Sequence, residues 1–171
     1  MERVYKIKNS LRLPMALAIV LSIPVFYDVL SRGLPTGQVV LISILILFFY
    51  ILAINNILRR VIIRGNGIII GNYLGKKAVK AEEVTALDGL AIGKRQFITI
   101  AVGKRNYLIQ NSFKGFPEII RDLEEIIPEE RRGTGLEGIQ ETPLIRTGDT
   151  IAAWITVGIL LAILVFKCMP G

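Results

Sequence analysis

The chain has 171 residues, 52% of them apolar, a mean hydropathy of +0.54 and a formal charge of +7. That length suits one modest soluble domain with additions, and the apolar excess directs attention to membrane spans. Histidine is absent and Cys168 is the single cysteine, which excludes a Cys/His zinc site, a Cys–His or Ser–His catalytic pair, a disulfide framework and an imidazole switch.

Residues 1–58 read as a basic arm followed by two transmembrane helices. The arm carries Arg3, Lys6, Lys8 and Arg12. Residues 11–30, LRLPMALAIVLSIPVFYDVL, form the first span. Pro14 suits a first turn, Pro24 is expected to kink or shorten the helix, and Asp28 is expected at the membrane boundary. A basic start also fits a signal peptide. No small-residue cleavage site follows the apolar run and a second span comes at once, so the helix is expected to be retained. Residues 39–58, VVLISILILFFYILAINNIL, carry no charge. At about 1.5 Å per residue they cover the roughly 30 Å of a hydrocarbon core.

Residues 59–128 read as short strands followed by one helix. RRVIIRGNGIII is two β-rich runs around Asn66-Gly67, a dipeptide suited to a type I′ hairpin. A second turn is expected at Gly75-Lys76. AEEVTALDGLAIG then carries Val84, Leu87 and Leu90, and GKRQFITIA and GKRNYLIQN nearly repeat each other as hairpin strands. In FPEIIRDLEEIIP, Ile119, Ile120, Leu123, Ile126 and Ile127 share one helical face, with Arg121, Asp122, Glu124 and Glu125 opposite and Pro128 as the stop. About six antiparallel strands and an amphipathic helix predict a small barrel or bent sheet capped by that helix.

Residues 129–149, rich in glycine and threonine, show no sustained period and read as a flexible linker. A third span covers residues 150–167, with Trp154 suited to the headgroup belt and Asp149 as an N-cap. Lys and Arg flank the start of the first span and the end of the second, while the loop between them has only Arg32. The positive-inside rule therefore places the N-terminus and residues 59–149 in the cytoplasm and the C-terminus outside.

The order VIIRGNGIII, AVKAEEVTAL, two hairpin strands and FKGFPEIIRDLEEIIP resembles the bacterial pleckstrin-homology-like (PH-like) domains of small membrane proteins. In several of those, a pair of apolar helices precedes the domain. Two features depart from the pattern: no tryptophan follows Lys77, where many such domains carry one, and the third span is an addition. The resemblance implies a fold and a habit of scaffolding or membrane-proximal binding. It supplies no catalytic residue.

GNGIIIG, residues 65–71, imitates a phosphate loop, but a β-prone run follows where the nucleotide fingerprint requires a helix. The carboxylate pairs Glu82/Glu83, Glu124/Glu125 and Glu129/Glu130 lack a partnering nucleophile and read as solvated charges. Asp28 fits either an ion path or, beside Tyr27, an interface. The basic residues Arg59, Arg60, Lys76, Lys77, Lys94, Arg95, Lys104 and Arg105 are the candidate lipid or partner contacts. They form a rim against anionic headgroups, or they are turn charges that protect strand edges.

The sequence thus predicts a non-enzymatic accessory or scaffold protein of the bacterial cytoplasmic membrane. Its partners are expected to be membrane lipid and other membrane subunits or copies of itself. No metal, cofactor, small-molecule substrate or nucleic acid is expected, because the corresponding motifs are missing. The alternative is a membrane-surface sensor that binds anionic lipid through its basic turns.

Overall fold

The computed structural model describes residues 2–31, 33–72, 75–141 and 148–168. The chain divides into two compact units. One contains the apolar helices α1 (Asn9–Ser31), α2 (Thr36–Ile57) and α5 (Gly148–Cys168). The other contains the strands and two short helices.

All three helices of the first unit are long and apolar enough to cross a membrane. Side chains such as Val20, Leu41, Phe48 and Ile159 lie exposed on them. In water that exposure would cost about 1.5–3 kcal/mol per side chain, whereas in hydrocarbon it costs nothing, so the helices are compatible with a membrane protein. α1 runs unbroken through Pro14 and Pro24; the expected shortening does not occur, as membrane helices tolerate the lost backbone bond. α1 packs against both α2 and α5. Ser22 donates to the Ile19 carbonyl at 2.7 Å and shares a 2.8 Å hydrogen bond with the Tyr50 hydroxyl, and Tyr50 meets Phe26 edge to face. Asp28 pairs with Lys167 at 2.5 Å. Both residues lie near the C-terminal ends of their helices, so α1 and α5 run in the same direction.

The β unit holds two antiparallel sheets. The first has the order β1 (Glu2–Lys6), β2 (Arg60–Arg64), β3 (Gly67–Asn72) and β4 (Gly75–Lys80). The second has the order β5 (Ala86–Ile92), β6 (Arg95–Val102) and β7 (Arg105–Gln110). α3 (Phe116–Ile126) and α4 (Gly135–Glu141) follow. Alternate residues of both sheets (Val61, Ile63, Ile68, Ile98, Ile100, Ile109) are buried, as are Ile119, Ile120 and Leu123 of α3 and Leu136 and Ile139 of α4.

Three hairpins share one turn. Arg64 faces Gly67, Ile92 faces Arg95 and Val102 faces Arg105, leaving two-residue loops Gly65-Asn66, Gly93-Lys94 and Gly103-Lys104. In each the glycine has φ between 53° and 58°, and among the described residues no non-glycine has positive φ. That sign order belongs to a type II′ turn with glycine first. The first turn is therefore one residue earlier than Asn66-Gly67 predicts. Gly75-Lys76 is not a turn but the start of β4.

Three further expectations are corrected. The N-terminal arm is β1, paired with β2 from Glu2↔Arg64 to Lys6↔Arg60, so the helical hairpin is an insertion between adjacent strands. That pairing explains how a strand follows the second span without a linker: the chain leaves after Lys6 and returns at its cross-strand partner. Residues 129–141 are ordered, with a 3₁₀ turn at Glu129–Arg131 and then α4; the rest of the expected linker up to residue 147 lies outside the described residues. Finally, Asp122 does not belong to a solvated face but is 3% exposed.

Candidate interaction surfaces

Residues directly opposed in an antiparallel sheet point to the same face. The register of the four-stranded sheet therefore sorts its side chains into rows. Arg3, Ile63, Ile68 and Val79 share one row and Tyr5, Val61, Ile70 and Lys77 another. This is the inward face: Arg3 Nη1 and the Tyr5 hydroxyl both donate to the buried carboxylate of Asp122 on α3, the latter at 2.5 Å. Burial, reinforced by the hydrogen bond to Asp122 and its charge, pushes the Tyr5 hydroxyl up to about 12.

The outward face begins with Lys6, Arg60, Gly71 and Lys76 in one row. A Cβ on Gly71 would sit 3.4 Å from Cγ of Lys76 and 3.5 Å from Cγ of Arg60, so the glycine lets two cationic stems pass side by side. The next row, Val4, Ile62, Ile69 and Ala78, is apolar, and Val4 is 47% exposed. The last, Glu2, Arg64, Gly67 and Lys80, holds an exposed 3.7 Å ion pair between Arg64 and Glu2. Such a pair contributes little.

The eight basic residues singled out in the sequence do not form one rim. Lys76 and Lys77, adjacent in a strand, point to opposite faces. Lys94/Arg95 and Lys104/Arg105 lie at opposite ends of β6, about 25 Å apart at about 3.3 Å per residue. Arg59 reaches across to the Leu108 carbonyl at 3.4 Å, and burial pushes its guanidinium below the ordinary arginine value. Only Arg60 and Lys76 come together, and their third partner is Lys6. Sequence reasoning passed over Lys6 because it read the first residues as an arm. The alternation of Arg3, Tyr5 and Ile7 against Val4 and Lys6 is the signal that could have placed it.

The second sheet presents a different surface. Gln96, Ile98 and Ile100 of β6 are buried, so Phe97 and Thr99 point outward. Phe97 faces Leu90 and Thr99 faces Leu108. Leu90 and Leu108 are each 49% exposed and Ile92 is 61% exposed. An apolar patch thus lies on the outside of a folded sheet.

No protein-family model, no curated protein and no solved structure matches this chain.

Proposed function

We propose that this chain is a non-enzymatic accessory or scaffold protein of the bacterial cytoplasmic membrane. Its β unit, PH-like in fold, binds a protein partner or stabilises a membrane complex. The observation that carries this reading is the outward face of the second sheet, where Leu90, Ile92 and Leu108 are exposed around Phe97. Apolar patches on soluble surfaces mark interaction sites, and aromatic and aliphatic anchors dominate such contacts. The PH-like fold is supported by antiparallel sheets of four and three strands followed by an amphipathic helix. The parallel course of α1 and α5 fits a topology in which the start of α1 and the end of α5 face opposite sides of a membrane, and the Lys and Arg around the start of α1 and the end of α2 favour the β unit in the cytoplasm and the C-terminus outside. Crosslinking the full chain in native membranes should capture a stoichiometric partner. Leu90→Glu with Leu108→Glu should abolish the capture while the chain stays membrane-integral. Capture that is unchanged in the double variant overturns this reading.

The row Lys6, Arg60 and Lys76 favours a second reading, contact with anionic lipid. At up to about 1 kcal/mol per basic residue, three of them would favour a negative surface by roughly a hundredfold. An environment-sensitive label on Lys76→Cys, in a Cys168→Ser background, should blue-shift in nanodiscs of phosphatidylglycerol and not in those of phosphatidylcholine. Identical spectra in the two would remove the lipid-sensing reading.

A further inference from the structure

A groove of about 530 Å³ lies between the N-terminal end of α1 and the C-terminal end of α2. Leu13, Ala16 and Ile57 form its apolar part, and Asn9, Ser10 and Arg12 its polar part. Arg12 is half-buried, yet it makes no hydrogen bond or ion pair among the described residues. A partly shielded guanidinium with no protein partner gains from a bound anion. Among the described residues, neither α1 nor α2 supplies one beside it. α2 contains no acidic residue, the first turn of α1 has none, and the one acid of α1, Asp28, pairs with Lys167 near the other end of the helix. Asp149, in the first turn of α5, does not line the groove.

The surroundings say what kind of anion fits. The groove sits at one end of two apolar helices, where a bilayer passes from hydrocarbon to headgroup, and its lining passes from apolar to polar in the same way. A free phosphate would meet Arg12 but gain nothing from Leu13, Ala16 and Ile57. A phospholipid uses both parts: its phosphate on the guanidinium fork, its glycerol near Asn9 and Ser10, and its first methylenes along the apolar floor. The positive end of the α1 helix dipole adds favourable partial charge. Basic pockets between membrane helices are suited to anionic headgroups. We propose that this groove binds one anionic phospholipid, with Arg12 on its phosphate. The proposal rests on the membrane reading but not on the partner-binding role of the β unit.

The test uses the full chain, reconstituted in bilayers of equal phosphatidylglycerol and phosphatidylcholine, released in mild detergent and weighed by native mass spectrometry. The expected result is one phosphatidylglycerol retained per chain. Arg12→Gln should lower its occupancy about tenfold, as for the loss of one charge-assisted hydrogen-bonded contact. Ala16→Phe, which fills the groove without changing charge, should lower it comparably, whereas Arg121→Gln on the exposed face of α3 should not. Circular dichroism confirms that each variant remains folded. Equal retention of the two lipids, or unchanged occupancy in both Arg12→Gln and Ala16→Phe, overturns the proposal. Displacement of the lipid by inorganic phosphate alone would reassign the site to a soluble anion and overturn it too. A carbonate wash keeps the two failures apart: a chain that washes off membranes sinks the membrane reading, whereas one that stays yet carries no phosphatidylglycerol sinks only the lipid site.

Discussion

Gly89→Ala is expected to release residues 133–141 from β5 while leaving both sheets intact. A Cβ at Gly89 would overlap the Gly135 carbonyl and lie 2.8 Å from the Leu136 nitrogen. Backbone stands on both sides of that contact, so no rotamer change can relieve it. The segment is held by Gly133 N–H to the Leu87 carbonyl at 2.7 Å, by Gly135 N–H to the Asp88 carboxylate at 3.1 Å, and by Gln96 Nε2 to the Ile139 carbonyl at 3.3 Å. Leu136 and Ile139 are its buried anchors. Two responses compete. Keeping the segment docked forces the overlap, at about 1–3 kcal/mol or more. Letting it go loses the burial of two aliphatic side chains, about 1.5–3 kcal/mol each, but returns about 1–2 kcal/mol of backbone entropy per freed residue. In the wild type the burial and the hydrogen bonds together outweigh that entropy, but over such a run of residues the margin is narrow, so the added overlap tips the balance to detachment. Hydrogen exchange should show the amides of Gly133 and Leu136 losing protection while those of β6 keep theirs. Leu123→Ala, a truncation of a fully buried core residue, should behave in the opposite way and destabilise the whole β unit by about 2–5 kcal/mol. Full protection of residues 133–141 in Gly89→Ala would show that the close approach does not hold the segment.

The same segment marks where the sequence ceased to be legible. The apolar helices could be read from it because long apolar runs with few charges, none at all over the twenty residues 39–58, leave few alternatives. The strands of the second sheet were legible through their alternation, and the face of α3 through its spacing. Local pattern carried no trace of what depends on a distant partner. In GTGLEGIQE the glycines look like flexibility, but Gly135 is there because Gly89 comes up against it. Asp122 sits among charged neighbours on α3, and only the arrival of β1, more than a hundred residues earlier in the chain, makes it an interior residue. The candidate surfaces failed to be legible for the same reason. Pairs of basic residues adjacent in sequence are split by strand geometry, while Lys6, Arg60 and Lys76, far apart in sequence, are joined by register.

Asp122 also sets the second large effect, which appears at alkaline pH. Tyr5 donates to Asp122 at 2.5 Å, and its hydroxyl is raised from the ordinary 10.0 to about 12, first by burial and then by the hydrogen bond and charge of that carboxylate. The folded chain therefore holds this proton more tightly than the unfolded chain. The resulting stabilisation is fully present below pH 10 and is lost as pH rises through about 12. Tyr5→Phe should remove that pH dependence and destabilise the β unit by about 1.5–3 kcal/mol, the range for a hydrogen bond to a charged group. Asp122→Ala should cost more, since it leaves both Tyr5 and Arg3 without their shared acceptor. The difference between wild-type and Tyr5→Phe tyrosinate absorbance isolates one titration among five tyrosines. A difference curve centred at 10.0 rather than near 12 would mean that Tyr5 is not clasped. The clasp matters beyond stability because β1 is an outer strand of its sheet and its last residue, Lys6, precedes α1 by only a short connection. Once Asp122 lets go, that strand retains its ladder to β2 and, at its end only, the Lys114 N–H to the Lys6 carbonyl at 2.8 Å and the bridge from Ile7 to Phe113. Hydrogen exchange of Val4 and Lys6 in Asp122→Ala should then rise well above that of Ile62 and Ile68, and equal protection across the four strands would show that the ladder alone suffices.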